Sequence, residues 1–178
     1  MSVKLLTCAL IVLVQLLCGS ALAARPIPTP IGAGPKYLLP ATTRKVEQGA
    51  EVGRFPCGSA SGPRDEAHVE LFADRLVLLL PAEIGVGPRC SYPVRTTRPT
   101  GVVEFAASSH PTIGDLFAVW GQPLGAHSLA GFHGTVSAWV GGKRWHGAVA
   151  SIPLTSHAEI VLELGGYIPP HTFFLFAD

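Results

Sequence analysis

The pattern of hydrophobic and polar residues predicts a sheet of short strands. Successive side chains of a strand point to opposite faces, so a strand buried on one face alternates between apolar and polar residues. A strand buried on both faces is a continuous apolar run. Alternation covers 67–72 and 136–140, and a continuous apolar run covers 76–80. Further short strands are predicted at 94–97, 102–106, 143–145 and 160–164.

Two dipeptides are placed to join neighbouring strands into hairpins. Asp74-Arg75 lies between the first two predicted strands, and Gly141-Gly142 follows the strand at 136–140. A two-residue type I′ turn needs a positive φ at both positions, which glycine adopts without strain. The glycine-rich stretch 125–134 is instead predicted to be a loop.

One amphipathic helix is predicted between the two groups of strands. Thr112 suits the N-cap position. Asp115, three residues later, suits the N3 position of a capping box, whose side chain accepts from the N-cap backbone N–H. Gly121 and Pro123 end the helix. Its apolar stripe consists of Ile113, Leu116, Phe117 and Trp120.

Hairpin, strand, helix, hairpin and strand, in that order, predict the α+β fold class. We expect a mixed β-sheet with one main covering helix, in the layout of a β-grasp, and one disulfide. Residues 57–178 are predicted to form a single compact domain, with a division into 57–108 and 109–178 left open. Proline and glycine recur through 24–56, which favours an extended tether and lead-in.

The first 23 residues have the layout of a secretory signal peptide. Lys4 supplies positive charge, an apolar run covers 5–17, and small residues stand at Ala21 and Ala23. Such a segment is cleaved after the second small residue, and the run is too short to span a bilayer well. We therefore expect a secreted or periplasmic protein without a transmembrane anchor after cleavage.

Two cysteines, Cys57 and Cys90, lie outside the predicted signal peptide. Exported proteins meet oxidising conditions, in which disulfides form and persist. The spacing of the pair is not the Cys-x-x-Cys of redox or metal motifs. We expect one structural disulfide, which stabilises the fold by about 3–4 kcal/mol through its effect on the unfolded chain.

The charge balance restricts the partners that the protein can attract. Without Lys4 the chain has 12 Lys and Arg against 12 Asp and Glu, so its net charge is zero with neutral histidines. A neutral chain does not capture nucleic acid or an anionic membrane by electrostatics. We expect no nucleic-acid partner, whereas a protein or a small ligand remains open.

Glu66, His68 and Glu70 alternate along the first predicted strand and would share one of its faces. Two carboxylates that flank an imidazole can ligate a divalent transition metal, and Glu104 on a later strand is a further candidate ligand. The alternative interpretation is a strand face exposed to solvent. A metal site is therefore one hypothesis, and no other cofactor is predicted.

Four further residues are candidates for a binding rim. Arg95 and Arg98 bring positive charge close to the carboxylates and can form surface ion pairs with them, each of small energy. Trp145 and His146 follow the Gly-Gly turn and suit an exposed recognition patch, or else rest on neighbouring residues of the hairpin.

The sequence contains no complete catalytic motif. The stretch nearest to the Gly-x-Ser-x-Gly of serine hydrolases is 58–62, where Ala60 stands at the nucleophile position. The six histidines other than His68 show no His-x-His or His-Glu-x-x-His spacing. Whether the protein is an enzyme stays open, and the sequence favours a non-enzymatic role.

The stretch 112–166 resembles the second half of the ubiquitin-like β-grasp sulfur carriers. It contains a capped helix, a strand with a Gly-Gly turn, Pro153-Leu154, a last strand and then Gly165-Gly166. The resemblance implies the β-grasp fold. It does not imply the carriers' activity, which needs a free terminal Gly-Gly carboxylate, because 167–178 follow here.

From Cys57 onward the chain is also similar to an uncharacterised family of exported or membrane-anchored bacterial proteins. The resemblance rests on 81–85 (PAEIG), Cys90, 101–103 (GVV), 112–117 (TIGDLF) and 119–121 (VWG). It implies a histidine cluster on adjacent strands. This chain has mostly lost that cluster, because Glu66-Ala67-His68, Arg95-Thr96-Thr97-Arg98 and Glu104-Phe105-Ala106 stand where the family carries its histidine motifs.

Export, one disulfide, neutral charge and the lack of a catalytic motif favour an exported, non-enzymatic binding or envelope-associated domain. The first alternative is a periplasmic or extracellular protein that binds a transition metal, which rests on His68 and its flanking carboxylates. The second alternative is a secreted hydrolase with an unrecognised site.

Overall fold

The computed structural model of the protein describes residues 37–38, 49–58 and 62–176. The predicted signal peptide, 1–23, lies outside the described residues, as does most of the predicted tether. Within the described part of the chain, no helix has the length and apolar character needed to cross a membrane.

The described chain contains short strands, one α-helix and two 3-10 helices. The strands are β1 (Tyr37–Leu38), β2 (Arg64–Ala73), β3 (Leu76–Leu78), β4 (Val94–Arg95), β5 (Val102–Ala106), β6 (Leu124–Gly125), β7 (Ser128–Leu129), β8 (Phe132–His133), β9 (Val136–Val140), β10 (Lys143–Arg144) and β11 (Glu159–Leu164). The helices are α1 (Ile113–Trp120) and the 3-10 turns Ala107–Ser109 and Val149–Ser151.

Strand β2 organises the main sheet because it has partners along both of its edges. β11 pairs with it in parallel, with Glu159 opposite His68 and Leu162 opposite Leu71. On its other edge, β5 and then β3 pair with it in antiparallel fashion. The strand order is β1-β3-β2-β11-β9-β10, with β4 added outside β5, and β6, β7 and β8 form a separate three-stranded sheet.

One face of β2 and β11 belongs to the hydrophobic core. Val69 and Ile160 are opposite each other in the register and fully buried, and so are Leu71 and Leu162. These side chains join one core cluster with Leu116 and the other buried residues of α1. The helix therefore covers the apolar face of the sheet, as its own apolar stripe predicts.

The opposite face of the same two strands carries ionisable side chains, together with Phe72 of β2 and Val161 of β11. His68 and Glu70 of β2 lie on it beside Glu159 and Glu163 of β11, and we call this surface the polar face. Residues 167–176 pass over it without pairing as a strand, and we call this segment the strap. The polar face is consequently buried, although the sequence favoured exposure of its residues to solvent.

Helix α1 begins at the predicted capping box. The Thr112 backbone N–H donates to Asp115 Oδ2 over 2.8 Å, and the Asp115 N–H donates to Thr112 Oγ1 over 3.3 Å. The helix ends at Gly121, whose φ of 74° suits a left-handed C-cap. One helix and a mixed sheet confirm the expected α+β class.

Cys57 and Cys90 form the predicted disulfide, with their Cα atoms 5.5 Å apart. Beside it, Gly58 and Ser91 form an antiparallel bridge. The bond thus ties the segment that precedes β2 to the loop that precedes β4.

Two predictions of local structure are wrong. The run 76–80 forms only β3, and Leu76 is 42% exposed, so this strand is not buried on both faces. Its short pairing is the reason, because Leu76 pairs with Ala73 of β2 on one side and has no partner in β1 on the other. The glycine-rich stretch 125–134 contains most of β6, β7 and β8, which are each too short for alternation to reveal.

Candidate functional site

Three ionisable side chains of the polar face converge beneath the strap. His68 and Glu70 stand two residues apart on β2, and the parallel register places Glu159 directly opposite His68 on β11. A potential ligand atom of each lies within 4.8 Å of those of the other two. All three residues are buried, and we call them the His-Glu-Glu cluster.

The hydrogen bonds of His68 fix which ring nitrogen carries a proton. Its Nε2 lies 3.0 Å from the Thr100 carbonyl oxygen, which can only accept, so Nε2 carries the hydrogen and donates it. Nδ1 lies 2.8 Å from Glu159 Oε2. With that hydrogen on Nε2, the contact between Nδ1 and the carboxylate needs a proton between the two atoms, or a cation in its place.

A glycine makes this arrangement possible. Gly101 has a φ of +80°, and a Cβ atom there would lie 2.7 Å from His68 Nε2 and 2.9 Å from the Val69 carbonyl oxygen. Any larger residue would push the chain away from the ring. Gly101 consequently allows the Thr100 carbonyl to orient His68.

The two carboxylate oxygens of Glu159 differ in their surroundings. Its side chain is 1% exposed, and among the described residues its Oε1 has no hydrogen-bond partner. Burial raises the pKa of Glu159, while the hydrogen bond and charge of His68 oppose that rise. A buried acceptor without a partner is costly, so this oxygen is a ready ligand for a cation.

The strap adds a second histidine to the site. His171 Nδ1 lies 2.8 Å and 2.9 Å from the two carboxylate oxygens of Glu70. The hydrogen bond that His171 donates to the Glu70 carboxylate raises the pKa of His171. His171 is far from His68 in the sequence, so ligand spacing along the chain could not reveal their common location.

The strap covers the cluster with an aromatic ring. The Phe174 ring stacks on the His68 ring, with centroids 3.8 Å apart and planes inclined by 11°. The Phe176 ring contacts His157 at 4.7 Å. The solvent-exposed strand face that we weighed as the alternative is therefore wrong at His68 and Glu70.

The other two predicted metal ligands lie outside the cluster. Glu66 and Glu104 face each other on β2 and β5. Glu104 accepts from Arg95 at 2.8 Å and from Thr97 at 2.6 Å. Burial raises the pKa of Glu104, but these hydrogen bonds and the Arg95 charge outweigh burial and bring it below its usual value. Burial, with the nearby Glu104 charge, raises the pKa of Glu66.

The structure divides the predicted binding rim between two places. Arg95 lies on β4 at one edge of the sheet, and Arg98 is exposed in the loop that follows. Trp145 and His146 follow β10 at the other edge. Trp145 Nε1 donates to the Ala148 carbonyl over 3.2 Å, so this ring rests on its own loop, while His146 is exposed.

Comparisons with family models, curated proteins and solved structures find no match to this chain.

Replacement of Gly101 tests the support of the His68 ring. Gly101→Ala should lower the free energy of unfolding by about 1–3 kcal/mol, because alanine is strained at this φ and contacts the ring. Gly125→Ala is the matched control, since its Cβ would meet nothing within 4 Å. Urea titration measures both, and equal stability of the two variants would contradict the assigned role of Gly101.

The contact between His171 and Glu70 predicts a pH dependence of stability. The pKa of His171 is higher in the folded protein than its ordinary value of about 6.5. The contribution of this contact to the free energy of unfolding is therefore fully present below about pH 6.5, and it is lost as the pH rises through the pKa of the folded protein. Because the His171 side chain is 69% exposed, the effect should stay below about 1 kcal/mol. We expect urea titrations in chelator to show this loss in the wild type and not in His171→Gln. The same pH dependence in both proteins would refute the assignment of this effect to His171.

Proposed function

We propose that this chain is an exported domain that binds a divalent transition-metal ion through His68, Glu70 and Glu159. The observation that carries the proposal is the buried His-Glu-Glu cluster, in which Glu159 Oε1 has no partner among the described residues. Neither the cluster alone nor the unpartnered oxygen of Glu159 alone would be sufficient to support a metal site. Together they provide a preformed anionic site whose donors converge.

The chemistry of the donors suits a first-row transition metal. One neutral imidazole and two carboxylates carry a charge of −2, which a divalent ion neutralises. Imidazole nitrogen suits zinc, iron, nickel and copper, whereas calcium and magnesium prefer sites built of oxygen alone. The mixed donor set therefore favours zinc or a neighbouring metal.

The spacing of the donors is close to what an ion requires. Ligand atoms at about 2.1 Å from a tetrahedral ion lie about 3.4 Å from one another. The donors of the cluster already lie within 4.8 Å of one another, so small movements would bring them to this separation.

The surroundings of His68 also suit a metal ligand. Metal-bound histidines commonly donate the other ring N–H to a carbonyl or carboxylate, which fixes the tautomer and the ring orientation. The Thr100 carbonyl is placed to accept that hydrogen from His68. Nδ1 then remains available for the ion.

Export is supported by the Cys57–Cys90 disulfide, because such bonds persist in oxidising compartments and are rare in the cytosol. The predicted signal peptide agrees with it. A secreted or periplasmic location thus remains part of the proposal.

We also propose that the main sheet is a β-grasp. The order β3-β2-β11-β9-β10 supports it, because the first and last strands of a β-grasp lie side by side in parallel at the centre of the sheet. Gly165 and Gly166, which suggested a sulfur carrier, pack on the β2–β3 turn, where a Cβ on Gly166 would collide with the Arg75 side chain. Close packing is therefore a sufficient reason for this Gly-Gly pair.

A second candidate is the non-enzymatic binding or envelope domain that the sequence favours, with no metal. The 2.8 Å contact between His68 Nδ1 and Glu159 Oε2 supports it, since one shared proton could satisfy this pair. In that case the cluster would be a buried structural contact, and the protein would act through another surface.

Calorimetric titration of tag-free, chelator-treated protein with zinc separates these candidates. We expect one ion per chain, with binding weakened at least tenfold in both His68→Gln and Glu159→Gln because each removes a ligand. Glu66→Gln should bind as the wild type does, since Glu66 lies outside the cluster. Titrations in two buffers should show release of the proton shared by His68 and Glu159.

Two results would contradict a metal site in this place. One is the lack of any zinc binding by the wild type. The other is equal heat from the wild type and His68→Gln. Weakened binding in Glu66→Gln alone would instead favour the set of ligands that the sequence suggested.

A further inference from the structure

We propose that the strap is a metal-dependent cover, in which His171 completes the coordination of the ion and Phe174 shields it from water. This inference rests on the proposed metal site. It adds that binding of the ion and docking of the strap stabilise each other.

The strap is held by side chains and not by a sheet. Its residues form no strand. Its contacts with the body include the Ile168 N–H to Glu163 Oε1 at 3.2 Å and the Tyr167 ring beside Trp139 at 5.9 Å. The others include His171 on Glu70, Phe174 on His68 and Phe176 on His157.

Two of these contacts are made with the proposed ligands themselves. His171 binds the carboxylate of Glu70, and Phe174 lies flat on the ring of His68. Any change in the position or charge of Glu70 and His68 must therefore change how well the strap docks. The strap is coupled to the site by direct contact and needs no relay.

The outer side of the strap suggests that it docks weakly. Tyr167 is 64% exposed, Phe173 68% and Leu175 56%. A segment that buries few side chains and shares no backbone ladder opens at a low free-energy cost. The free energy of one metal–ligand bond is consequently large compared with the free energy that holds the strap docked.

The docked strap can supply a fourth ligand to the ion. Three ligands from the sheet leave one position of a tetrahedral ion open. His171 Nδ1 is already 2.8 Å from a Glu70 oxygen, so an ion bound to Glu70 lies within reach of this nitrogen. When the strap is docked the site is closed by four protein ligands, and when it is released the fourth position is open to water or a small anion.

Hydrogen exchange of the whole chain, with and without zinc, tests the coupling. Zinc should slow exchange of the Ile168 amide, which donates to Glu163 in the docked strap, at least tenfold in the wild type and hardly at all in His171→Gln. His171→Gln should also bind zinc about 10–100-fold more weakly. The two effects are linked, because the factor by which the ion stabilises docking equals the factor by which docking stabilises binding of the ion.

A matched control and a spectroscopic measurement exclude a merely structural role of His171. His127→Gln removes an exposed histidine that lies outside the site, and it should keep both the zinc affinity and the protection of the strap. Cobalt in place of zinc should give the strong visible absorption of a four-coordinate site in the wild type, and a weaker spectrum in His171→Gln.

The outcomes distinguish this inference from the proposed function. If His171→Gln binds zinc as the wild type does and keeps the protected strap, the inference is wrong while the site on the sheet stands. If the wild type binds zinc but its strap exchanges at an unchanged rate, the inference is again wrong. If the wild type binds no zinc, the proposed function and this inference both fail.

Discussion

The contact between His68 and Glu159 is the constraint on which this account depends. Thr100 takes the Nε2 hydrogen, and Nδ1 lies 2.8 Å from a buried carboxylate oxygen of Glu159. The second oxygen of that carboxylate is buried without a partner in the described chain. Such a pair needs a positive charge beside it, because burial of an uncompensated carboxylate is costly. A shared proton or a metal ion must satisfy it.

The fold delivers this pair through the register of two parallel strands. Because β11 runs beside β2, one face of both strands joins the core with α1 while the other collects acidic and histidine side chains. A shift of β11 by one residue would exchange its two faces and bury Ile160 beneath the strap. The apolar core on one side therefore also fixes the geometry of the polar face on the other.

The sequence predicted the parts of the fold that depend on local patterns. The capping box at Thr112, the turn at Gly141-Gly142 and the Cys57–Cys90 bond are all present. Of the site it indicated His68 and Glu70, because they alternate on one strand. It could not indicate Glu159 or His171, since strand pairing and the fold of the strap bring them close from distant parts of the chain. It also missed the burial of this face, because the segment that covers it forms no regular element.

The most direct test is an anomalous difference map, recorded at the zinc absorption edge from crystals grown with zinc. We expect one peak about 2.0–2.2 Å from His68 Nδ1 and from one oxygen each of Glu70 and Glu159. No peak at this position, with His68 Nδ1 still in hydrogen-bond contact with Glu159 Oε2, would contradict it and leave the cluster as a proton-sharing contact of the fold.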